Sequence, residues 1–276
     1  MGRVLIVAGS DSGGGAGIQA DVKAVTVLGG YAATAVTALT AQNTLGVLGI
    51  ETTSPEFVEL QMEAVLTDIG ADVIKTGMLG SARVVRRVAA TCRRLAPSVP
   101  LVVDPVMVAK GGARLLEPDA EAALVAELLP MAALVTPNVP EAEALTGIRI
   151  TDERALEHAA SRLLLLGSAA VLLKGGHLPG DRVVDCLVTA DGEVHRFESP
   201  RLQSRSTHGT GCTLASAIAT GIAEGLTLFD SVARARDYVL EAIRTAPGLG
   251  QGHGPLNHGH PLAPRETPQK VPRVVH

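Results

Sequence analysis

The sequence predicts an α/β protein with a mostly parallel central sheet. Short apolar segments rich in β-branched residues alternate along the chain with longer segments of helical periodicity. Nearly every residue of the short segments is apolar, which is typical of parallel strands covered by helices on both faces. Near the carboxyl end, Asp191-Gly192 lies between two apolar runs and predicts an antiparallel hairpin at the edge of the sheet.

The individual elements follow from this alternation. The first half of the chain gives strands at 4–8, 72–75 and 101–104 and helices at 16–28, 55–70, 81–95 and 119–129. The second half gives strands at 133–136 and 170–174, hairpin strands at 183–189 and 193–197, and helices at 140–145, 151–166, 211–224 and 229–246. No interior segment resembles a linker, so we expect a single domain over residues 1–263. The composition after it predicts a flexible tail at 264–276.

The composition excludes several classes of function. Five aromatic residues among 276 and a formal net charge of -4 without a basic run argue against a nucleic-acid partner. Three widely spaced cysteines, Cys92, Cys186 and Cys212, indicate a reducing compartment without disulfides. No apolar run is long enough to span a bilayer. We therefore expect a cytoplasmic protein that binds neither nucleic acid nor membrane.

Polar or glycine-rich groups follow the ends of the predicted parallel strands, at 9–11, 76–78, 104–106, 136–138 and 174–176. In a sheet of this kind, ligands bind outside the carboxyl ends of the strands. Residues far apart in the sequence are therefore expected to meet at one edge of the sheet. This convergence is stronger evidence for a site than any single motif.

The run STHGTGC, from Ser206 to Cys212, carries the clearest chemical signal. It is a glycine-rich turn that opens a helix, and the first N–H groups of a helix have no intrahelical acceptor. Together with the positive end of the helix dipole they can hold a phosphoryl group. The amides of Gly209, Thr210 and Gly211, with Cys212 beside them as a candidate proton acceptor, predict a phosphoryl-transfer site.

The glycine-rich loop at 9–17 lies between the first strand and the first helix. It matches neither the P-loop nor the GxGxxG pattern, yet it allows the backbone to approach a ligand closely. Asp21, one turn into the helix, is expected to face the same pocket. The alternative is a tight strand–helix connection without a ligand.

Three charged side chains at strand or helix ends are candidates for the phosphate side of the site. Asp104 ends a strand before a proline and could organise Mg²⁺, or act only as a helix cap or ion-pair partner. Glu141 lies three residues after Asn138 and could position Mg²⁺ through water, although a plain helix cap is the better explanation of this spacing taken alone. Lys174 could contact nucleotide phosphates, or be a solvated strand-end lysine.

Two further segments bear on ligand binding. The loop 107–114, with Lys110 and Arg114, could be a lid over phosphates or an ordinary surface loop. Gln42 offers both a donor and an acceptor, which suits the edge of an amino-substituted heterocycle. The histidines at 253, 258 and 260 match no common metal-site spacing, so we interpret them as structural.

Eight motifs together closely resemble the hydroxymethylpyrimidine/phosphomethylpyrimidine kinases of thiamine biosynthesis, which belong to the ribokinase-like superfamily. They lie between residues 4 and 262: AGSDSGGGAGIQAD (8–21), TALTAQNT (37–44), KTGML (75–79), DPVM (104–107), TPNVPE (136–141), LKGGH (173–177), THGTGC (207–212) and GHGP (252–255). The resemblance implies a three-layer α/β/α fold and an enzyme that is usually dimeric. The implied activity is ATP-dependent phosphorylation of 4-amino-5-hydroxymethyl-2-methylpyrimidine, and then of its monophosphate to the diphosphate.

The resemblance also implies a role for each motif residue. Gln42 and Asp21 would hold the pyrimidine, with Gly9, Met78 and Val106 packed around it. Asp104 and Glu141 would organise Mg²⁺, while Lys174, Thr207 and the amides of Gly209–Gly211 would take the ATP phosphates.

Cys212 stands where most sugar kinases of this superfamily carry an aspartate base. A thiol at a helix N-terminus beside cations is expected to have a lowered pKa and to accept a proton. We also hypothesise that a thiol, which can remain neutral, tolerates the ionised phosphate nucleophile of the second reaction better than a carboxylate would.

Two alternatives remain open. Some relatives with this Gly-Thr-Gly-Cys turn accept vitamin B6 alcohols, so a pyridoxine/pyridoxal kinase is the nearest one. The other is a non-catalytic pyrimidine-binding protein, against which the apparently intact set of Asp104, Lys174 and Cys212 argues. A sugar kinase is disfavoured because the aspartate base is absent.

Overall fold

The computed structural model describes residues 1–108, 112 and 115–262. Nine strands are present there: β1 (Arg3–Asp11), β2 (Tyr31–Asn43), β3 (Gly46–Thr52), β4 (Val73–Thr76), β5 (Leu101–Val103), β6 (Leu134–Val135), β7 (Ala170–Leu173), β8 (Arg182–Thr189) and β9 (Val194–Pro200). They form one sheet in the order β3-β2-β1-β4-β5-β6-β7-β8-β9. Pairing is parallel from β2 to β7, which confirms the predicted sheet. The predicted hairpin is confirmed as β8 and β9, and β7 also pairs antiparallel with β8.

Eight α-helices lie in the described part of the chain: α1 (Gly17–Val27), α2 (Pro55–Asp68), α3 (Ala82–Leu95), α4 (Pro118–Ala123), α5 (Val139–Thr146), α6 (Glu153–Leu164), α7 (Thr210–Ala223) and α8 (Leu228–Arg244). The eight predicted helices correspond to these within a few residues, except that the fourth is irregular. There α4 continues into a π-helical turn and then a 3₁₀ turn at Leu129–Met131. Pro130 lies in this last turn, where its missing N–H prevents a regular α-helical bond.

The helices cover both faces of the sheet because alternate strand residues point to opposite sides. Leu5 and Val7 of β1 pack in one apolar cluster with α2, α3 and α4, and α5 and α6 cover the same face further along. Val4 and Ile6 point the other way and pack with α1, α7 and α8. The result is the three-layer α/β/α arrangement that the resemblance implied.

The antiparallel pair of β2 and β3 was not predicted. The 13-residue β2 runs parallel to β1 but contains five alanines, which are poor strand formers. The shorter β3 is largely exposed, and a glycine interrupts its apolar residues. The sheet thus has an antiparallel pair at both edges rather than at one.

Some predictions fall on residues that the structure does not describe. The tail at 264–276 lies outside the described residues, as do Lys110 and Arg114 of the loop 107–114. The boundary of the single domain at residue 263 stays a prediction for the same reason. Among the helices described, none has both the length and the apolar character needed to cross a membrane.

Candidate active site

The described residues enclose a cavity of about 940 Å³ at the carboxyl ends of the parallel strands. Segments that follow these strands form its walls together with the start of α7. Twelve of the predicted site residues line it: Gly9, Gln42, Met78, Asp104, Val106, Glu141, Lys174, Thr207, Gly209, Thr210, Gly211 and Cys212. Asp21 does not line the cavity. The convergence expected from the strand ends is therefore present.

The turn that opens α7 is shaped by glycine. Gly209 precedes the helix with φ 83°, in the left-handed region, and a Cβ there would overlap the carbonyl oxygen of Gly15. The Thr210 hydroxyl donates to the carbonyl of Thr207 at 2.8 Å and closes the turn. A Cβ at Gly211 would lie 3.2 Å from Lys174 Nζ. The turn therefore contacts the glycine-rich loop on one side and a lysine on the other.

Lys174 and Asp104 form an ion pair next to this turn. Lys174 Nζ donates to Asp104 Oδ1 at 2.9 Å, and the Thr136 hydroxyl donates to the same oxygen at 3.0 Å. Burial acts to lower the pKa of Lys174, but Asp104 and then Glu141 outweigh it and raise the pKa above its usual value. The lysine is therefore a fixed positive charge beside the helix start, where anionic phosphates are favoured.

Glu141 is both a helix cap and a member of this charged group. It forms a capping box at the start of α5, in which Asn138 N–H donates to Glu141 Oε2 at 2.8 Å and Glu141 N–H donates to Asn138 Oδ1 at 2.9 Å. Burial raises the pKa of Glu141 to about 7, although Lys174 opposes this. Within the described ranges, no group of three or more His, Cys, Asp or Glu side chains is arranged to hold a metal ion. Asp104 and Glu141 could bind a cation only if phosphates or water completed its ligands.

The protein's own groups do not give Cys212 the lowered pKa that was expected beside bound cations. Burial raises the pKa of the thiol to about 12; Lys75 opposes this, whereas Asp21 and Asp104 add to it. Lys75 and the amide of Gly17 do not outweigh the removal of the thiolate from water. The cysteine is consequently a neutral thiol in the cavity wall.

Asp21 is completely buried behind the cavity wall, in contact with a lysine. Both of its oxygens lie 2.9 Å from Lys75 Nζ, and the Ser216 hydroxyl donates to Oδ1 at 2.7 Å. It is therefore the counter-ion of Lys75, which lines the cavity and was not predicted as a site residue. A lysine within the apolar strand β4 was the signal in the sequence that pointed to such a pair.

The opposite end of the cavity contains Gln42 and an unpredicted pair, Asp11 and His208. Gln42 Oε1 accepts from the Thr40 hydroxyl at 3.1 Å, and its Nε2 lies 3.3 Å from His208 Nε2. Asp11 Oδ2 lies 2.9 Å from the same ring nitrogen and also accepts the amides at Gly15 and Ala16. The pair joins the glycine-rich loop to the turn before α7. Its members are 197 residues apart, so no local pattern reveals it.

A second unpredicted ion pair lines the cavity close to the turn after Lys174. Arg236 Nε donates to Asp185 Oδ2 at 2.8 Å, and the guanidinium lies 5.6 Å from the centre of the Phe197 ring. Asp185 Oδ1 also accepts the amide of Gly175 at 2.8 Å. This pair fixes the turn that follows Lys174. The sequence showed only isolated charges on a strand and a helix.

A helix start that can hold phosphate, with a lysine and two carboxylates beside it at the edge of a parallel sheet, defines a kinase-type phosphotransferase. The family model for phosphomethylpyrimidine kinase matches residues 11–257, and the chain belongs to that family.

Individual relatives agree with this assignment. Over 258 residues the chain is 57% identical to a thiamine biosynthesis bifunctional protein of Geobacter sulfurreducens, covering 93% of this chain but only 52% of that longer relative. It is 47% identical to a hydroxymethylpyrimidine/phosphomethylpyrimidine kinase of Rhizobium meliloti, covering 93% of this chain and 96% of the relative. The solved pyridoxal kinase of Staphylococcus aureus, in complex with AMP-PCP and pyridoxal, superposes with a TM-score of 0.85 at 32% identity, covering 94% of each chain. The ribokinase-like fold is thereby confirmed.

Proposed function

We propose that the protein transfers the terminal phosphoryl group of ATP to 4-amino-5-hydroxymethyl-2-methylpyrimidine and then to the resulting monophosphate. One observation carries the proposal: the turn at Gly209–Gly211 lies between the two ends of a single cavity. Gly209 packs on Gly15 of the glycine-rich loop, and Gly211 packs on Lys174. A nucleophile bound near the loop and a nucleotide bound near the lysine would therefore meet at the helix amides.

The pyrimidine would bind at the end that contains Gln42. Its side-chain amide can both donate and accept, as a ring nitrogen beside an amino group requires. Gly9, Met78 and Val106 also line the cavity and would pack around the ring. A Cβ at Gly9 would lie 3.0 Å from Met78 Sδ, so the glycine lets the Met78 side chain pack closely against the loop.

The chemistry would be carried mainly by positioning and by fixed charge. In the first reaction the substrate hydroxyl oxygen would form a bond to the γ-phosphorus, its proton would pass to a phosphate oxygen, and the bond from that phosphorus to the bridging β-phosphate oxygen would break, so that ADP leaves. In the second reaction the nucleophile is an ionised phosphate oxygen, which has no proton to lose. Lys174, the Thr207 segment and the Gly209–Gly211 amides would balance the charge on the transferred group. Cys212, as a neutral thiol, would not repel an incoming monophosphate, whereas a carboxylate in its place would.

Asp104 and Glu141 fit a Mg²⁺ ion that is shared with the nucleotide. Both are carboxylates with the hard oxygen ligands that Mg²⁺ prefers, and one or two such groups plus substrate phosphates are its usual protein ligands. When bound, the ion supplies neutralisation of phosphate charge. Lys174, which pairs with Asp104, would hold that carboxylate in place at the edge of the phosphate site.

Pyridoxal is the second candidate substrate. The observation that favours it is the TM-score of 0.85 to a pyridoxal kinase. The identity to that enzyme is 32%, however, against 47% to the Rhizobium meliloti kinase. We therefore rank the pyrimidine first.

We further propose that the chain acts as a homodimer in the cytoplasm. The hairpin of β2 and β3 exposes Leu39, Leu45, Leu48 and Ile50, an apolar group that a second copy could cover. The free thiols of Cys92, Cys186 and Cys212 favour a reducing compartment. Light scattering after size exclusion, with Leu48→Glu as the disrupting variant, tests the dimer.

The proposed activity is tested by following ATP consumption with the hydroxymethylpyrimidine while chromatography separates monophosphate from diphosphate. We expect both products in sequence, and a much lower kcat/KM with pyridoxal or pyridoxine. Turnover of the vitamin B6 alcohols alone would replace the first candidate with the second. Binding of the pyrimidine without ATP turnover would identify a non-catalytic protein.

A further inference from the structure

The segment after α8, which we call the C-terminal strap (residues 250–258), lies against the site without lining the cavity. Its His253 amide donates to the carbonyl of Thr44 at 2.9 Å, two residues from Gln42. Its Gly254 carbonyl accepts the amide of His208 at 3.1 Å, one residue before Gly209. The strap therefore contacts the chain on both sides of the proposed reaction centre. The proposed chemistry gives it no role.

The strap ends in a buried histidine that contacts the first turn of α7. His258 Nε2 lies 2.9 Å from the Thr213 hydroxyl, and His258 is 4% exposed. Thr213 is itself bonded to Gly209: its amide and its hydroxyl lie 2.9 and 2.8 Å from that carbonyl oxygen. Tyr238 of α8 donates to the carbonyl of His258 at 2.8 Å and anchors the strap. A continuous set of hydrogen bonds thus runs from α8 through the strap to the residue that begins the turn.

A comparison within α7 shows what the histidine adds. Thr220, two turns further along, is also buried, and its hydroxyl donates to the carbonyl of Ser216 at 2.8 Å. This is the same bond, four residues back, that Thr213 makes to Gly209. Such bonds are common for threonine in helices and need no tertiary partner. At Thr213 the buried imidazole is a second partner, and it is found at the end of the helix that faces the cavity.

We propose that His258 and Thr213 are a positioning pair, which holds the Gly209 carbonyl and thereby aims the Gly209–Gly211 amides at the transferred phosphoryl group. Neither side chain touches the substrate in this arrangement. The inference rests on the proposed function, because it assigns the pair to the phosphoryl side of that reaction. Its signature is a loss of turnover and of nucleotide affinity while the pyrimidine KM stays the same.

The test compares Thr213→Val, which keeps the shape but removes the hydroxyl, with Thr220→Val as the matched control. Because small misplacements of reacting groups are costly, we expect Thr213→Val to lower kcat about tenfold. The pyrimidine KM stays within about twofold, since uniform binding of that substrate is untouched. Thr213→Ser restores activity, and Thr220→Val leaves it unchanged. His258→Leu lowers kcat to a similar extent, whereas His258→Gln keeps most of the original kcat. Combining Thr213→Val with His258→Leu lowers kcat no further than either change alone.

Calorimetric binding of AMP-PCP separates this inference from the proposed function. We expect Thr213→Val to weaken AMP-PCP and Thr220→Val not to, whether or not the unmodified chain turns over the pyrimidine. If Thr213→Val does not fold, Thr213→Ala is measured in its place, because alanine favours the helix and also lacks the hydroxyl. Equal effects at positions 213 and 220, additive losses in the double variant, or a raised pyrimidine KM with unchanged kcat would each overturn the proposal.

Discussion

Replacing Asp21 by asparagine separates a structural role from a substrate-binding role. The structure makes Asp21 the fully buried counter-ion of Lys75, with Nζ 2.9 Å from both carboxylate oxygens. Burial alone acts to lower the pKa of Lys75, whereas Asp21 raises it, so the substitution leaves a buried lysine without its main counter-ion. Removing one partner of a buried pair costs about 3–5 kcal/mol. At about 2–4 °C per kcal/mol, the expected fall in Tm is roughly 6–20 °C.

The assay is thermal unfolding of Asp21→Asn beside two further variants. Asp72→Asn breaks a half-exposed pair with Arg3 and is expected to change Tm little. Asp21→Asn combined with Lys75→Met removes the uncompensated charge and is expected to recover much of the lost Tm. An unchanged Tm for Asp21→Asn together with a raised KM for the pyrimidine would refute this reasoning and restore the role in substrate binding that the sequence suggested.

Three other predictions concern charge in the site and in the core. Lys174→Met is expected to lower kcat about 10²-fold with little change in pyrimidine KM, measured by steady-state kinetics, because a charge aimed at the transferred group is lost; a change in KM alone would contradict it. Cys212→Asp is expected to slow the second phosphorylation about tenfold more than the first, since a fixed carboxylate repels the monophosphate; equal losses in separately measured steps would disprove this. Burial lowers the pKa of His258 to about 4 from 6.5, so the unfolded chain binds the proton more readily than the folded one. The free energy of unfolding therefore falls as pH drops through this range, by roughly 3 kcal/mol in full. Denaturant titrations at decreasing pH should show a smaller loss of unfolding free energy for His258→Gln than for the unmodified chain. Equal losses in the two proteins would show that His258 does not cause the acid dependence.

The parallel sheet was predictable because its strands are buried on both faces and therefore apolar at nearly every position. The position of the site followed from the same property, since parallel strands end at a common edge. The pair of β2 and β3 escaped prediction because β2 is rich in alanine and because a glycine interrupts the apolar residues of β3, so neither strand shows a clean alternation. A hydrophobic pattern with a period of two or 3.6 residues arises where one face of an element packs against the core. Little of β2 and β3 packs in that way.

The sequence predicted which residues line the cavity better than it predicted what each side chain does there. Asp21 lies on the buried face of α1 with Ala20, Ala24 and Val25, but the sequence does not show whether that face meets a ligand or a lysine. The contact of Asp11 with His208 joins distant segments and depends on the tertiary fold. The pKa of Cys212 depends mainly on burial, which outweighs the opposing effect of Lys75. In each case the decisive neighbour is remote in sequence.

Because Gly209 packs directly on Gly15, the backbone of this turn must stay fixed, whereas side chains elsewhere in the cavity wall can vary. The groups proposed to hold the phosphoryl are backbone amides, and a side chain at Gly209 would collide with the opposing backbone. Gln42, Met78 and Val106, which are proposed to contact the acceptor, are side chains that substitution could change while the backbone of the turn is kept. One main-chain frame can therefore serve different alcohols, in keeping with the match of this chain to a kinase that binds pyridoxal. A change of substrate would need only a few new side chains, whereas a change of reaction would need a new backbone.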